Sequence, residues 1–409
     1  MRIAEINTLD TGSTGKIMFA LADLARKDGN TVITFSAKIF RKRTHDIYSS
    51  KPNHFFYLSK TGSFVHKCLG QITGLNGCFS VIPTLSLCKK LKKEKIEIIH
   101  LHNLHDFCIN LPILFSFIKK NNIKVVWTLH DCWSFTGHCP HFTMAKCDKW
   151  KLKCHHCPQL RYYPKSYLDT SELMWNLKKK WFNGIDNLTI VTPSNWLANL
   201  VKQSFLHSNS VKVINNGIDL SVFKPYPNNV KERYNLSNKY VVLGVSFEWG
   251  VKKGLDVFIE LSKVLNNRFQ IILVGTNDKI DSFLPANIIS IHRTNNQKEL
   301  AQIYSAADLF LNPTREENYP TVNMESIACG TPVLTFNTGG CPETIDKYTG
   351  EAIDEVDIMT LKRKVEYICQ KNVFSSSDCI KKAQEYSQSA RFNEYLKLYN
   401  DLYTGKNSI

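Results

Sequence analysis

No stretch of this 409-residue chain stays apolar for 18 residues. The nearest approach, Phe107 to Ile118, is interrupted by Asn110 and Pro112 and is too short to span a bilayer. No short repeat and no low-complexity linker breaks the chain. No secretory leader is legible, because Met1 to Asn7 reads at once as a strand. The cysteines number 13, an odd count, and without a leader they argue for a reducing cytoplasm over a disulfide framework. Three nucleotide signatures are also missing. Gly12-Ser-Thr-Gly15-Lys16 has too few residues between its glycines for a Walker A loop, is not G-x-G-x-x-G, and no D-x-D occurs in the first half.

Apolar residues make up 43% and charged residues 22%, so the chain is globular, with length for two or three domains. Acidic residues are scarce only in the first half. Residues 1–222 hold 30 basic and 14 acidic residues, and residues 223–409 hold 22 of each, so the whole +16 excess is N-terminal. Such an excess serves a nucleic acid, an anionic membrane surface or an anionic substrate, or is a set of solvated lysines.

Strands and helices alternate, which predicts α/β architecture with parallel sheets. Strands are expected at Arg2 to Asn7, Thr31 to Ser36, Ile96 to Leu101, Lys124 to Leu129, Leu188 to Thr192 and Val211 to Ile214, with a helix from Lys16 to Lys27 after the Gly12–Gly15 turn. The pattern restarts at Tyr240, and strand Leu309 to Asn312 leads through a loop to a helix from Thr321. A last helix is expected over about Cys379 to Tyr403.

The richest stretch is Pro313-Thr-Arg-Glu-Glu317-Asn-Tyr319-Pro320-Thr321, followed by Glu325 and Ala328-Cys-Gly-Thr-Pro332. One carboxylate precedes a helix start and one lies on that helix. Free N–H groups between them suit a diphosphate. The carboxylates suit sugar or ribose hydroxyls. Ordinary acidic capping gives the same pattern.

The Glu317-x7-Glu325 spacing with Ala328 to Pro332 resembles the retaining glycosyltransferases of family 4, which adopt the GT-B fold. The resemblance extends to Tyr304-Ser-Ala-Ala-Asp308, Gly339-Gly340-Cys-Pro-Glu343, Lys253-Gly254, Asn216-Gly217-Ile-Asp219 with Phe223 and Pro225, the Gly12–Lys16 loop and His130-Asp131. It implies two Rossmann-like, doubly wound domains facing across a cleft. Residues 1–222, rejoined by a C-terminal helix over 381–409, would bind the acceptor, and residues 223–380 the nucleotide sugar. Lys253 would neutralise the leaving diphosphate, Glu317 would hold the donor sugar, and His130 would stand beside sugar and acceptor. Glu325 would take the ribose, Gly15 and the amides of Tyr319, Pro320 and Thr321 would frame the phosphates, and Thr294 would lie in the base-binding loop. Proline has no amide hydrogen, so Pro320 can only shape that turn. The family often has an arginine six residues before the lysine; here that position is Phe247, so either Lys252 substitutes or a weaker clamp uses Gly15 and the helix N-terminus.

The resemblance implies a nucleoside-diphosphate sugar donor and no cofactor or metal for catalysis. It also implies a glycan acceptor that is lipid-linked, and a polysaccharide product. A basic first half would then meet an anionic membrane from the cytoplasmic side, with Arg41, Lys42, Arg43 and the run Lys89 to Lys95 as candidates. A nucleotide-sugar epimerase of the same fold and a zinc-containing nucleic-acid binder are the rival readings. Separately, Cys139-x7-Cys147-x6-Cys154-x2-Cys157 could hold a structural zinc, or be reduced cysteines in a packed loop.

Overall fold

The computed structural model describes residues 1–38 and 51–405. Arg41, Lys42 and Arg43 lie outside the described residues. The chain divides into two compact units, Met1–Ile214 with Phe392–Ile409, and Asn215–Arg391.

The first unit runs β1 (Arg2–Ile6), α1 (Gly12–Lys27), β2 (Thr31–Ala37), β3 (His54–Leu58), α2 (Lys60–Thr73), α3 (Val81–Lys93), β4 (Ile98–Leu101), α4 (Leu111–Asn121), β5 (Lys124–Thr128), α5 (Ser171–Phe182), β6 (Leu188–Thr192), α6 (Asn195–Gln203) and β7 (Ser210–Val213). Its sheet is parallel, in the order β3-β2-β1-β4-β5-β6-β7. Successive residues of a strand face opposite ways. Ala4, Ile99 and Val125 therefore enter one core with α4, while Ile3, Ile98 and Val126 enter another with α1. Parallel strands buried on both faces should read as apolar runs. Glu5 in β1 and His100 in β4 break that rule, and both are fully buried.

The second unit runs α7 (Val230–Arg233), β8 (Tyr240–Val245), α8 (Leu255–Val264), β9 (Phe269–Val274), α9 (Asp278–Asp281), β10 (Ile288–Ile291), α10 (Gln297–Ala306), β11 (Leu309–Asn312), α11 (Thr321–Ala328), β12 (Val333–Phe336), β13 (Gly350–Ile353), α12 (Ile358–Lys371) and α13 (Ser376–Ala383). Its parallel sheet has the order β10-β9-β8-β11-β12-β13. In both units the strand order reverses direction beside the first strand, at β1/β4 and at β8/β11. Ligands of open α/β sheets bind at the carboxyl ends of strands at such a reversal.

The observed seam falls at Ile214/Asn215, ahead of the expected 222/223, because Ile218 bridges Ser387 and Phe223 packs into the core holding Tyr304 and Tyr386. The C-terminal helix is two helices. α13 ends at Ala383, a turn covers Gln384 to Ser387, and α14 spans Gln388–Thr404. Only the part from Phe392 belongs to the first unit, where Tyr395 and Tyr399 enter the core beside α1. A Cβ on Gly217 would lie 2.5 Å from the Gln388 Cα, which explains the glycine of the Asn216-Gly217 segment.

Candidate active site

In the second unit, Lys253 ends a short helical turn, Val251 to Lys253, after β8, and Glu317 lies in the loop after β11. The two loops flank the strand-order reversal and are stapled together. Arg315 donates its backbone N–H to the Lys252 carbonyl at 2.8 Å and its guanidinium to Asp256, Glu355 and the Val251 carbonyl. Gly254 has φ +70°, and a Cβ there would lie 2.5 Å from Pro313, so only glycine lets the loops close this far. The result is a Lys253 Nζ–Glu317 Oε2 pair at 2.6 Å. Burial works to lower the Lys253 pKa, but the Glu317 carboxylate outweighs it and the net shift is upward. Glu317 Oε1 accepts from the Asn318 N–H at 3.0 Å. The Gly339–Gly340 loop closes on the same backbone: Gly340 N–H donates to the Asn318 carbonyl, and a Cβ on Gly339 would strike the Glu317 carbonyl.

Pro320 is the N-cap of α11, and no side chain caps that end. Its first-turn amides therefore point past Thr321 without a side-chain acceptor, the arrangement that favours a phosphate. The Tyr319 side chain is buried in the core. Glu325 is the fifth residue of α11, past the first turn in which it was expected, and its Oε2 accepts from the Tyr304 hydroxyl at 3.2 Å. Asp308 accepts from the Val241 N–H of β8 and from Lys231 of α7. Thr294 is half-buried in the loop between β10 and α10, at the carboxyl edge of the same sheet.

In the first unit, His130 follows β5. Its Nε2 lies 3.2 Å from His102 Nδ1, and His102 Nε2 lies 2.8 Å from Glu5 Oε2. Burial alone would raise the Glu5 pKa, but His100 and His102 draw it down to about 2. Burial and His100 hold His102 down to about 4, and burial and His102 hold His130 down to about 3. Both rings are therefore neutral at pH 7, and the proton order follows. Ionised Glu5 accepts from His102 Nε2–H, so His102 Nδ1 accepts from His130 Nε2–H. In that tautomer the unprotonated ring nitrogen of His130 is Nδ1. Tyr399 completes the network by donating to Glu5 Oε1 at 2.9 Å. Next to it, His105 Nε2 meets Asp131 Oδ2 at 2.8 Å, and Asp131 Oδ1 accepts from the Trp133 N–H. Glu5, His100 and His102 are the only described trio of ligand-type atoms mutually within 4.8 Å. Their nitrogens and oxygens are already engaged with one another and with Thr128, Tyr399 and His130, so they form a closed hydrogen-bond network.

Gly15 does not lie in an open turn. The first helix begins at Gly12, four residues earlier than expected, and Gly15 sits in its first turn with the Asp10 backbone 2.6 Å from where a Cβ would be. It lets the loop after β1 fold down over the helix start, where Thr11 offers no side-chain cap.

The family described as Glycosyltransferase Family 4 matches residues 38–222, and Glycosyl transferases group 1 matches residues 228–391. The chain is a family 4 glycosyltransferase. It is 25% identical over 323 residues to the putative colanic acid biosynthesis glycosyl transferase WcaC of Escherichia coli K12, covering 75% of this chain and 76% of that one. It is 24% identical over 240 residues to the Campylobacter jejuni N,N'-diacetylbacillosaminyl-diphospho-undecaprenol alpha-1,3-N-acetylgalactosaminyltransferase, covering 55% of this chain and 63% of that one. Its fold is that of Anabaena Alr3699/HepE, solved with UDP (TM-score 0.70, 14% identity, 98% and 100% covered), a GT-B glycosyltransferase.

As a nucleotide-sugar-dependent transferase it departs from the family pattern at Phe247, which is fully exposed after β8. Lys252 does not stand free as a substitute for the missing arginine. It pairs with Glu316, whose side chain is almost wholly buried and whose Oε1 has no partner. In this transferase Lys252 anchors the loop that carries Lys253. The Glu5–His102 support behind His130 escaped the sequence reading, although a glutamate inside Ile-Ala-Glu-Ile and a histidine inside Ile-Ile-His-Leu were its signal.

Proposed function

We propose that the enzyme moves a hexose, with retention, from a nucleoside-diphosphate sugar to a hydroxyl of a lipid-linked glycan during bacterial surface-polysaccharide assembly. The observation that carries this reading is the Lys253–Glu317 pair beside the uncapped start of α11, with Glu325 one turn further in. Lys253 and the α11 amides meet the charge that grows on the diphosphate as the C1–O bond breaks. The acceptor oxygen bonds to C1 and its proton passes to the departing phosphate oxygen. Glu317 holds the sugar hydroxyls and Glu325 the ribose. His130 takes a hydroxyl of sugar or acceptor. The names of WcaC and the Campylobacter transferase support a polysaccharide product and a polyprenyl-diphosphate acceptor.

The test is a panel of nucleoside-diphosphate sugars with a polyprenyl-diphosphate-linked sugar as acceptor, run with and without EDTA, with the product linkage read by NMR. An α-linked product from an α-linked donor, formed at an unchanged initial rate in EDTA, is the expected result. Inverted stereochemistry, prompt loss in EDTA restored by magnesium, or a changed donor sugar without transfer would each overturn the reading.

The acceptor's lipid calls for a membrane-facing surface. No helix among the described residues is long and apolar enough to cross a membrane. Two helices of the first unit do expose apolar side chains: Phe64, Val65 and Ile72 on α2, and Ile82 (79% exposed) and Leu85 on α3. Lys89, Lys92 and Lys93 continue the outer side of α3, and His66 joins the helices through Ser80 at the α3 start. Apolar side chains flanked by lysines suit an anionic bilayer surface. The protein should co-sediment with phosphatidylglycerol vesicles and much less with phosphatidylcholine. Ile82→Asp with Leu85→Asp should abolish the binding while leaving activity on a water-soluble acceptor intact.

A further inference from the structure

The connection from β5 to α5 runs from Leu129 to Thr170 with only two short 3-10 turns, Trp133–Phe135 and Lys149–Lys151. Roughly 40 residues without regular structure need a staple of their own. Phe135, Phe142 and Trp150 supply a small apolar centre. Beside it Cys139, Cys147, Cys154 and Cys157 line one small cavity of about 20 Å³, room for a single small occupant. All four are free thiols. We infer that these four cysteines bind one zinc ion, as thiolates, to clip this loop.

Five further features surround the sulfurs as a thiolate cluster requires. The thiols of Cys139 and Cys157 interact directly. The Gly137 backbone N–H donates to Cys154 Sγ at 3.2 Å, as amides do to metal-bound sulfur, and a Cβ on Gly137 would lie 2.8 Å from the Cys154 Cβ and 2.1 Å from the Ser171 carbonyl. Lys149 Nζ holds the carbonyls of His155 and His156, between Cys154 and Cys157, at 3.1 Å each. Lys178, buried from solvent, donates to the Trp133 and Thr136 carbonyls and so holds the backbone that leads into Cys139. Two buried polar atoms of the lining, His138 Nε2 and Trp150 Nε1, have no hydrogen-bond partner, so the lining has polar capacity that the protein alone does not use. The sulfurs are not within 4.8 Å of one another in threes, a looser spacing than the roughly 4 Å of a closed tetrahedral site, so binding would draw the loop together. Thiolates favour zinc among the abundant divalent ions, and their deprotonation makes the site pH-dependent.

The full-length enzyme, purified under reducing conditions without a metal-affinity step, should carry about one zinc per chain by elemental analysis. Cobalt(II) exchanged into it should show thiolate-to-cobalt charge-transfer bands and the intense visible absorption of tetrahedral cobalt. Cys154→Ser and Cys157→Ser should lose the zinc, and His138→Ala should keep it. If the serine variants do not fold, the cobalt spectrum of the parent protein decides alone. Metal-free protein that takes up no zinc after reduction, cobalt bound without thiolate bands, a Cys139–Cys157 disulfide found by mass spectrometry, or zinc lost in His138→Ala would each overturn the four-thiolate site.

Discussion

Lys253→Ala should lower kcat by about 100-fold, a loss of about 3 kcal/mol of transition-state stabilisation, while the melting temperature barely moves. The two halves of this expectation have different origins. The rate effect arises because the leaving diphosphate gains charge only as the bond to C1 breaks, so the lysine interacts more strongly with the transition state than with bound donor. The small stability effect follows from the Lys253–Glu317 pair, whose side chains are 34% and 22% exposed. Pairs this open to water contribute about 1 kcal/mol or less. Glu325→Ala provides the contrast. Its carboxylate accepts from the Tyr304 hydroxyl, and a group that holds the ribose binds ground and transition states alike, so its loss should raise the donor KM and leave kcat within about twofold. Steady-state kinetics on the purified variants checks both. A Lys253→Ala enzyme retaining more than about half the parent rate would remove Lys253 from the chemistry.

How far the sequence foretold this arrangement depended on the range of the interactions involved. The helix start at Pro320–Thr321 was legible because proline and the acidic residues act locally. So was the restart of the strand pattern at Tyr240, since β8, β9 and β11 are nearly pure apolar runs. The strands β3 and β13 were missed. β3 is an edge strand in which only Leu58 is buried, and β13 reads Gly-Glu-Ala-Ile, with no apolar pattern to mark it. The break between α13 and α14 was hidden too. Nothing local forbids a helix through Gln384 to Ser387, and the turn is set by Ile218 and Gly217 from far along the chain.

The same distinction governs the site. Lys253, Glu317 and Glu325 carried spacing that could be matched to a family. The pairing of Lys253 with Glu317 and the capture of Lys252 by Glu316 depended on two loops meeting although the partners lie 64 residues apart in sequence, which no spacing rule reports. Gly15 shows the converse. A glycine near a helix start suggested a phosphate cradle, yet the backbone of Asp10 already occupies the space that its missing side chain leaves.

Acid should destabilise the first unit well before its carboxylates protonate. His66 and His102 are both about 1% exposed, and burial is the first cause that lowers each, to about 3 for His66 and about 4 for His102. His66 is faced by the Ser80 hydroxyl and the rings of Phe79 and Phe107; His102 by Glu5, His100 and His130. Unfolded histidine titrates near 6.5. The folded pKa lies below the unfolded one, so the stability these neutral rings provide is complete above about 6.5 and is lost as pH falls toward their folded values. At pH 5 each ring costs about 2 kcal/mol, and the pair about 4 kcal/mol, a large share of a typical 5–15 kcal/mol. Glu5, held near 2, adds its own loss only below about 4.5. Every tryptophan except Trp249 lies in the first unit, so urea unfolding followed by tryptophan fluorescence reports on it. The urea midpoint should fall steeply between pH 7 and pH 5, and His66→Leu should flatten that fall by roughly one ring's share of the five rings so lowered, His54, His66, His102, His130 and His138. A midpoint that does not change across this range, or an unchanged slope in His66→Leu, would mean that these rings accept protons in place, through a local opening that the buried packing around Ser80, Phe79 and Phe107 does not show.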